Sequence, residues 1–226
     1  MLMKKFIISI DQGTTSSRVV LYNTKFKTID YIQKELNQYF PKNGWVEHDA
    51  LEIWSDVKSL ISNILKKNKI KASQILSIGI TNQRETTVLW NKLNGKPVHK
   101  AIVWQDRRTT DICDELKKKK LDKKIQKITG LIIDPYFSGT KIKWILDKNI
   151  KAKNLLKKNN LLFGTIDSWL LWNLTEGKSH LTDITNASRT LLFDSKKEKW
   201  SNEILKILKI PKSILPNVKP NTYNFG

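Results

Sequence analysis

The stretch Lys5-Phe6-Ile7-Ile8-Ser9-Ile10-Asp11-Gln12-Gly13-Thr14-Thr15-Ser16-Ser17-Arg18-Val19-Val20-Leu21-Tyr22 decides the fold. Lys5 to Ile10 alternates into an apolar strand, Gln12 to Ser17 is a turn of small polar residues, and Arg18 to Tyr22 is a second strand. Two apolar runs joined by a short polar segment read as a hairpin, here with a hydroxyl-rich tip. A third strand is expected around Thr28 to Ile32, and Pro41, Asn43 and Gly44 mark a loop.

Beyond the hairpin the period changes. Asp49 and Glu52 have capping-box spacing, and Ile53, Trp54, Val57, Leu60, Ile61, Ile64 and Leu65 follow at helical intervals. Gln74 to Thr81 reads as a strand, Val88 to Trp90 as extended chain, Asn94-Gly95 as a turn and Ala101 to Trp104 as a strand. Helices are expected over Asp106 to Lys119, Ser138 to Asp147, Thr165 to Asn173 and Ser201 to Leu208, with a strand over Thr190 to Phe193. Antiparallel strands followed by alternating helices and strands imply α/β architecture, a mixed sheet flanked by helices. No composition shift divides the chain.

Composition narrows the function. The chain has 226 residues and a formal charge of +20, with 36 Lys but only 5 Arg, 27 Ile and 18 Asn. Lys, Asn and Ile are the residues an AT-rich coding sequence over-supplies. The basicity therefore reads as a solvated surface rather than a nucleic-acid footprint, and no aromatics interleave the runs at Lys117 to Lys120, Lys157-Lys158 and Lys196-Lys197. Against that background each remaining arginine (Arg18, Arg84, Arg107, Arg108, Arg189) is expected to do what Lys cannot, which is planar, bidentate bonding. The lone Cys113 excludes an internal disulfide framework and points to a reducing, cytoplasmic setting. His48, His99 and His180 lack metal spacing. No uncharged apolar run approaches the roughly 18 residues of a membrane helix. Met1 to Ile10 imitates a signal peptide, but the apolar run before Asp11 is too short for one and reads as the buried first strand.

Four segments carry chemistry. At the hairpin tip, hydroxyls and backbone N–H groups suit phosphate oxygens, with Asp11 placed for hydrated Mg²⁺ and Arg18 for phosphate charge; the bland alternative is an ordinary turn. There is no Walker or dinucleotide glycine motif. Asn82-Gln83-Arg84-Glu85 ends a strand with a donor fork and an acceptor, fit either for vicinal hydroxyls or for a surface ion pair. Trp104, in Trp104-Gln105-Asp106-Arg107-Arg108, is either an apolar wall or a core residue ahead of a helix capped by Asp106. Tyr136, in Asp134-Pro135-Tyr136-Phe137-Ser138, brings a hydroxyl to the start of a helix.

These segments, with Gly44-Trp45-Val46-Glu47-His48-Asp49 and Thr185-Asn186-Ala187-Ser188-Arg189-Thr190, resemble the bacterial glycerol kinases of the FGGY carbohydrate kinase family, in order and over essentially the whole chain. The resemblance implies a ribonuclease H-like sheet of the actin/hexokinase/Hsp70 type, with residues 1–226 forming the N-terminal kinase domain. It implies ATP and Mg²⁺ as cofactors and glycerol as substrate, phosphorylated to sn-glycerol 3-phosphate. Thr14, Thr15, Ser16 and Arg18 would take the nucleotide phosphates, Asp11 the metal, and Arg84, Glu85, Trp104 and Tyr136 the glycerol. The family's catalytic Asp and its C-terminal ATP-binding domain are expected beyond Gly226. A truncated or split kinase, complemented by a second chain or assembled as a homo-oligomer, fits this reading. A catalytically inactive remnant or interaction module and a kinase of another small polyol or sugar are its alternatives. Neither nucleic acid nor membrane is expected as a partner.

Overall fold

The structure is a computed structural model describing residues 5–226; residues 1–4 of the signal-like opening lie outside it. In chain order the strands are β1 (Phe6–Gln12), β2 (Ser16–Asn23), β3 (Thr28–Glu35), β4 (Glu47–His48), β5 (Ile75–Asn82), β6 (Val88–Asn91), β7 (Ala101–Ile102), β8 (Leu161–Gly164), β9 (Leu181–Asp183), β10 (Phe193–Asp194), β11 (Lys199–Trp200) and β12 (Asn217–Lys219). The helices are α1 (Ala50–Lys67), α2 (Thr110–Lys118), α3 (Asp122–Thr129), α4 (Ser138–Lys148), α5 (Ile150–Lys157), α6 (Ile166–Leu174), α7 (Ile184–Ala187) and α8 (Asn202–Leu208). The described residues gather into two compact units, one of residues 5–38 and 51–83, the other of residues 39–50 and 84–226.

The first unit is a four-stranded sheet in the order β3-β2-β1-β5. Its first three strands are antiparallel neighbours, and β5 lies parallel to β1 after the α1 crossover. This is the mixed, ribonuclease H-like arrangement that the hairpin announced. Ile8, Ile10, Val19 and Leu21 are buried on one side of the sheet, as are Ile53, Val57 and Ile64 on one side of α1. These two apolar stripes, one at period two and one at helical period, make the unit's interior. Lys34 on β3 pairs with Asp56 on α1 at 2.5 Å, and Asn68 at the helix end donates to Asp30 at 2.9 Å. The hairpin strands run further than expected: Gln12 and Ser17 are paired partners, so Ser16 and Ser17 belong to β2 rather than to the turn.

The second unit is built from short strand pairs, β4 with β7, β6 with β8, β9 with β12 and β10 with β11, around one apolar cluster that includes Leu89, Ile102, Ile142, Phe163, Leu192 and Ile204. Helix α2 starts at Thr110 rather than Asp106, because the Asp106 carboxylate is committed to other bonds described below. The expected strand over Thr190 to Phe193 shrinks to Phe193–Asp194, since Leu191 takes a left-handed φ of 64°. Helix α8 is capped as its sequence suggests, Ser201 Oγ accepting from the Ile204 N–H at 3.3 Å. No helix among the described residues is long and apolar enough to cross a membrane.

Close packing at β8 yields a prediction. A Cβ on Gly164 would lie 2.6 Å from the Ser168 Cβ and 2.9 Å from the Trp90 ring. Overpacking of this kind costs about 1–3 kcal/mol. Gly164→Ala is expected to lower the melting temperature accordingly, and an unchanged melting temperature in a thermal scan would contradict the packing described.

Candidate functional site

In the first unit, the hairpin carries all five expected phosphate and metal residues. Asp11 pairs in register with Arg18 on one side and Thr81 on the other, and Arg18 with Gln33, so the four lie in one row across the sheet. Asp11 and Arg18 are exposed, Thr14 and Ser16 half-buried and Thr15 exposed. The Arg18 Nε donates to Gln33 Oε1 at 2.9 Å, and the Gln33 amide donates to Ser16 Oγ at 3.0 Å. The tip is closed by the Gly13 N–H donating to the Ser16 carbonyl at 2.8 Å, so that N–H is spent inside the turn. Gln83, at the end of β5, braces the tip: its N–H donates to the Gln12 carbonyl at 2.7 Å, and its amide to Gln12 Oε1 and the Gly13 carbonyl, each at 3.1 Å. The sequence pointed to Gln83 only as an amide beside a charge pair; its use as a brace depends on β5 lying parallel to β1, a long-range pairing.

In the second unit, Arg84 and Glu85 part company. Arg84 is exposed. Glu85 is 2% exposed and sits in left-handed backbone at φ 63°. A non-glycine residue held there stores strain, a condition that clusters at ligand sites. Its carbonyl accepts from Ser138 Oγ at 2.9 Å and Thr87 Oγ1 at 3.1 Å. Its carboxylate pairs with Arg189 rather than Arg84, Nε to Oε1 at 2.6 Å. The inward turn of the backbone separates the neighbouring charges that the sequence presented as a pair.

Tyr136 and Trp104 join the same cluster. Their rings lie 5.2 Å apart, and the Arg189 guanidinium lies 5.6 Å from the Tyr136 ring and 5.0 Å from that of Phe137. The loop carrying Tyr136 is fixed from both ends. The Tyr136 N–H donates to Asp134 Oδ1 at 2.8 Å, and that carboxylate also holds the Arg107 fork. Beneath the loop the fully buried Lys141 ammonium donates to the Pro135 and Tyr136 carbonyls at 2.6 Å and to the Phe137 carbonyl at 3.5 Å. Burial pushes Lys141 down to about 7, while the Asp106 and Glu85 charges pull the other way.

The Trp104 segment is anchored by a buried ion network. Asp106 accepts from the Val46 N–H at 2.6 Å and takes the Arg108 fork at 2.9 and 2.8 Å. Arg108 also donates to Glu47 at 2.8 Å and stacks 3.8 Å from the Trp45 ring centroid. Arg189, Lys141 and Arg108 have no assigned site role in the sequence reading. Two of them were marked only as arginines in a lysine-rich chain, and a buried lysine looks like any other in sequence. Cys113 is a buried helix residue whose thiol burial pushes up to about 11, disfavouring the thiolate. A separate surface cleft of about 560 Å³ is lined by Lys92, Trp172, Asn173 and Glu176, among others, and includes none of the expected site residues.

Comparison with known proteins bears on this constellation. The FGGY family of carbohydrate kinases, N-terminal domain, matches residues 6–226. The chain belongs to the FGGY family. This FGGY chain is 57% identical over 224 residues to a glycerol kinase of Treponema denticola, covering 99% of the chain and 45% of that relative. A Plasmodium falciparum glycerol kinase solved with ADP superposes with a TM-score of 0.92 at 38% identity, over 98% of this chain and 44% of that one. A gluconate kinase from Lactobacillus acidophilus follows at TM-score 0.84 and 25% identity, over 95% and 42% of the two chains. The FGGY fold is thereby shown, and the chain spans about half the length of the curated relatives it matches.

Proposed function

We propose that the chain carries the polyol half-site and the phosphate hairpin of an ATP-dependent glycerol kinase, which makes sn-glycerol 3-phosphate and ADP. The observation that carries this reading is Glu85, a buried carboxylate in strained backbone, tied by Arg189 to the Tyr136–Trp104 ring pair. A carboxylate accepts hydrogen bonds from hydroxyls, and aromatic faces cover carbon without demanding charge, so the cluster suits a small neutral polyol. The Arg84 guanidinium and the Tyr136 hydroxyl add donors.

On the hairpin, the hydroxyls of Thr14, Thr15 and Ser16 and the Arg18 guanidinium suit phosphate oxygens. Mg²⁺ is commonly held by one or two carboxylates, with water and substrate phosphates completing its shell. Asp11, the carboxylate at the end of β1, fits that pattern. Bound there, the metal would neutralise charge on the transferring phosphoryl group. The family resemblance implies that the general base and the adenosine pocket come from the part of the relatives that this chain does not span. A general base is typically worth about 10²–10⁴-fold, so the purified chain alone is expected to turn over negligibly.

Titration of the isotope-labelled chain with glycerol tests the half-site. Amide shifts are expected at Glu85, Trp104 and Tyr136, and a silent titration would contradict the assignment. Robust ATP-dependent turnover by the chain alone, abolished by Glu85→Ala, would contradict the assignment of the base.

A further inference from the structure

We infer that Arg189 is a positioning residue for the polyol, setting the Glu85 carboxylate so that one oxygen is spent on protein and the other is left for substrate hydroxyls. The inference rests on the polyol reading of this cluster. Arg189 Nε donates to Glu85 Oε1 at 2.6 Å, a charge-assisted bond with the Glu85 side chain 3% exposed. Among the described residues, Oε2 accepts no protein hydrogen bond, and neither Nη group of Arg189 donates to a protein atom.

The guanidinium is itself held in place. Its Cζ lies 5.0 Å from the Phe137 ring centroid. Its backbone follows α7, where Asp183 caps the helix by accepting from the Asn186 N–H at 2.7 Å and the Arg189 N–H donates to the Asn186 carbonyl at 3.0 Å. The next residue, Thr190, accepts from the Gly139 N–H at 2.7 Å, and a Cβ on Gly139 would approach that carbonyl to 3.0 Å. The fork is therefore fixed from the backbone, the aromatic face and the carboxylate. A lysine has neither the planar face nor the directional Nε–H.

Such a device governs selectivity more than fold. A site that hydrogen-bonds a hydroxyl rejects the analogue lacking it, because its own polar group is left unpaired. With Glu85 no longer aimed, the distinction between glycerol and propane-1,2-diol weakens.

Two NMR measurements on the full chain test this. The Arg189 Nε–H resonance is expected to exchange slowly with water in the wild type and to lose that protection in Glu85→Gln. Dissociation constants for glycerol and propane-1,2-diol are then compared in the wild type, Arg189→Gln and Arg189→Lys. Both variants are expected to bind glycerol about tenfold or more weakly and to lose most of the preference for glycerol. An unprotected Nε–H in the wild type overturns the inference, and this readout does not depend on whether either variant folds. Folded variants that keep the wild-type affinity and preference overturn it while leaving the polyol reading intact. A wild-type chain that binds neither alcohol overturns the polyol reading, and the inference falls with it.

Discussion

The Asp106→Ala chain is expected to lose about 3–5 kcal/mol of stability in its second unit, the typical cost of removing one partner from a buried ion pair. Both side chains of the Asp106–Arg108 pair are 0% exposed, so the guanidinium left behind has no route to water. The loss extends beyond the pair. The Val46 and Arg108 N–H groups also end on this carboxylate, at 2.6 and 2.9 Å. Glu47, 2.8 Å from Arg108 and 8% exposed, retains part of the compensation. Asp106→Asn keeps an acceptor for the backbone donors and is expected to fall between the variant and the wild type. Urea unfolding followed by tryptophan fluorescence checks both. A loss below about 1 kcal/mol for Asp106→Ala, the scale of a surface pair, would show that the network does not organise the Trp104 segment.

The second large effect is a pH dependence belonging to Lys141. In the unfolded chain this lysine keeps its proton up to its ordinary value of 10.5; in the folded chain burial brings that down to about 7. Between those values the unfolded state holds more protons, so stability rises with pH, by as much as about 1.4 kcal/mol per pH unit from this group alone. Below about 7 both states are protonated, and the cost of burying the charge is constant. Lys141→Met removes the titrating group. The difference in unfolding free energy between wild type and Lys141→Met is therefore expected to shift in favour of the wild type as pH rises from 7 to 9. A flat difference would mean that the three carbonyls of Pro135, Tyr136 and Phe137 hold the ammonium strongly enough to offset its desolvation.

The fold was legible because its signals are local. Alternation in Ile8 and Ile10, then Val19 and Leu21, marks a half-buried hairpin, and the spacing of Ile53, Val57 and Ile64 marks one face of α1. Helix α2 was misplaced at its start because Asp106 has the chemistry of a cap but is drawn away by Val46 and Arg108, contacts remote in sequence or buried in the core. The same limit applies to the candidate site. Trp104 and Tyr136 could be read as aromatic residues at element ends, but the 5.2 Å approach of their rings could not. Arg84 and Glu85 read as a pair because they are adjacent, whereas a φ of 63° turns Glu85 to a partner 104 residues away.

Arginine scarcity was the most informative compositional signal. Arg107 forks onto Asp134, Arg108 onto Asp106, and Arg189 binds Glu85 while lying over Phe137. The lysine runs at Lys117 to Lys120, Lys157-Lys158 and Lys196-Lys197 are exposed. The separation of arginine from lysine is partial: the bidentate bonding expected of every arginine is seen at Arg107 and Arg108, while Arg18 and Arg189 bond through Nε, Arg84 is exposed, and the buried Lys141 holds three carbonyls.

The central claim is that a three-carbon alcohol rests on the Tyr136 and Trp104 rings with its hydroxyls on Glu85. Intermolecular nuclear Overhauser effects between the carbon-bound protons of glycerol and the aromatic side chains address it directly. Contacts to the Trp104 and Tyr136 rings, lost in Glu85→Gln, are the predicted result. Contacts confined instead to Trp172, in the cleft lined by Lys92 and Glu176, would contradict it.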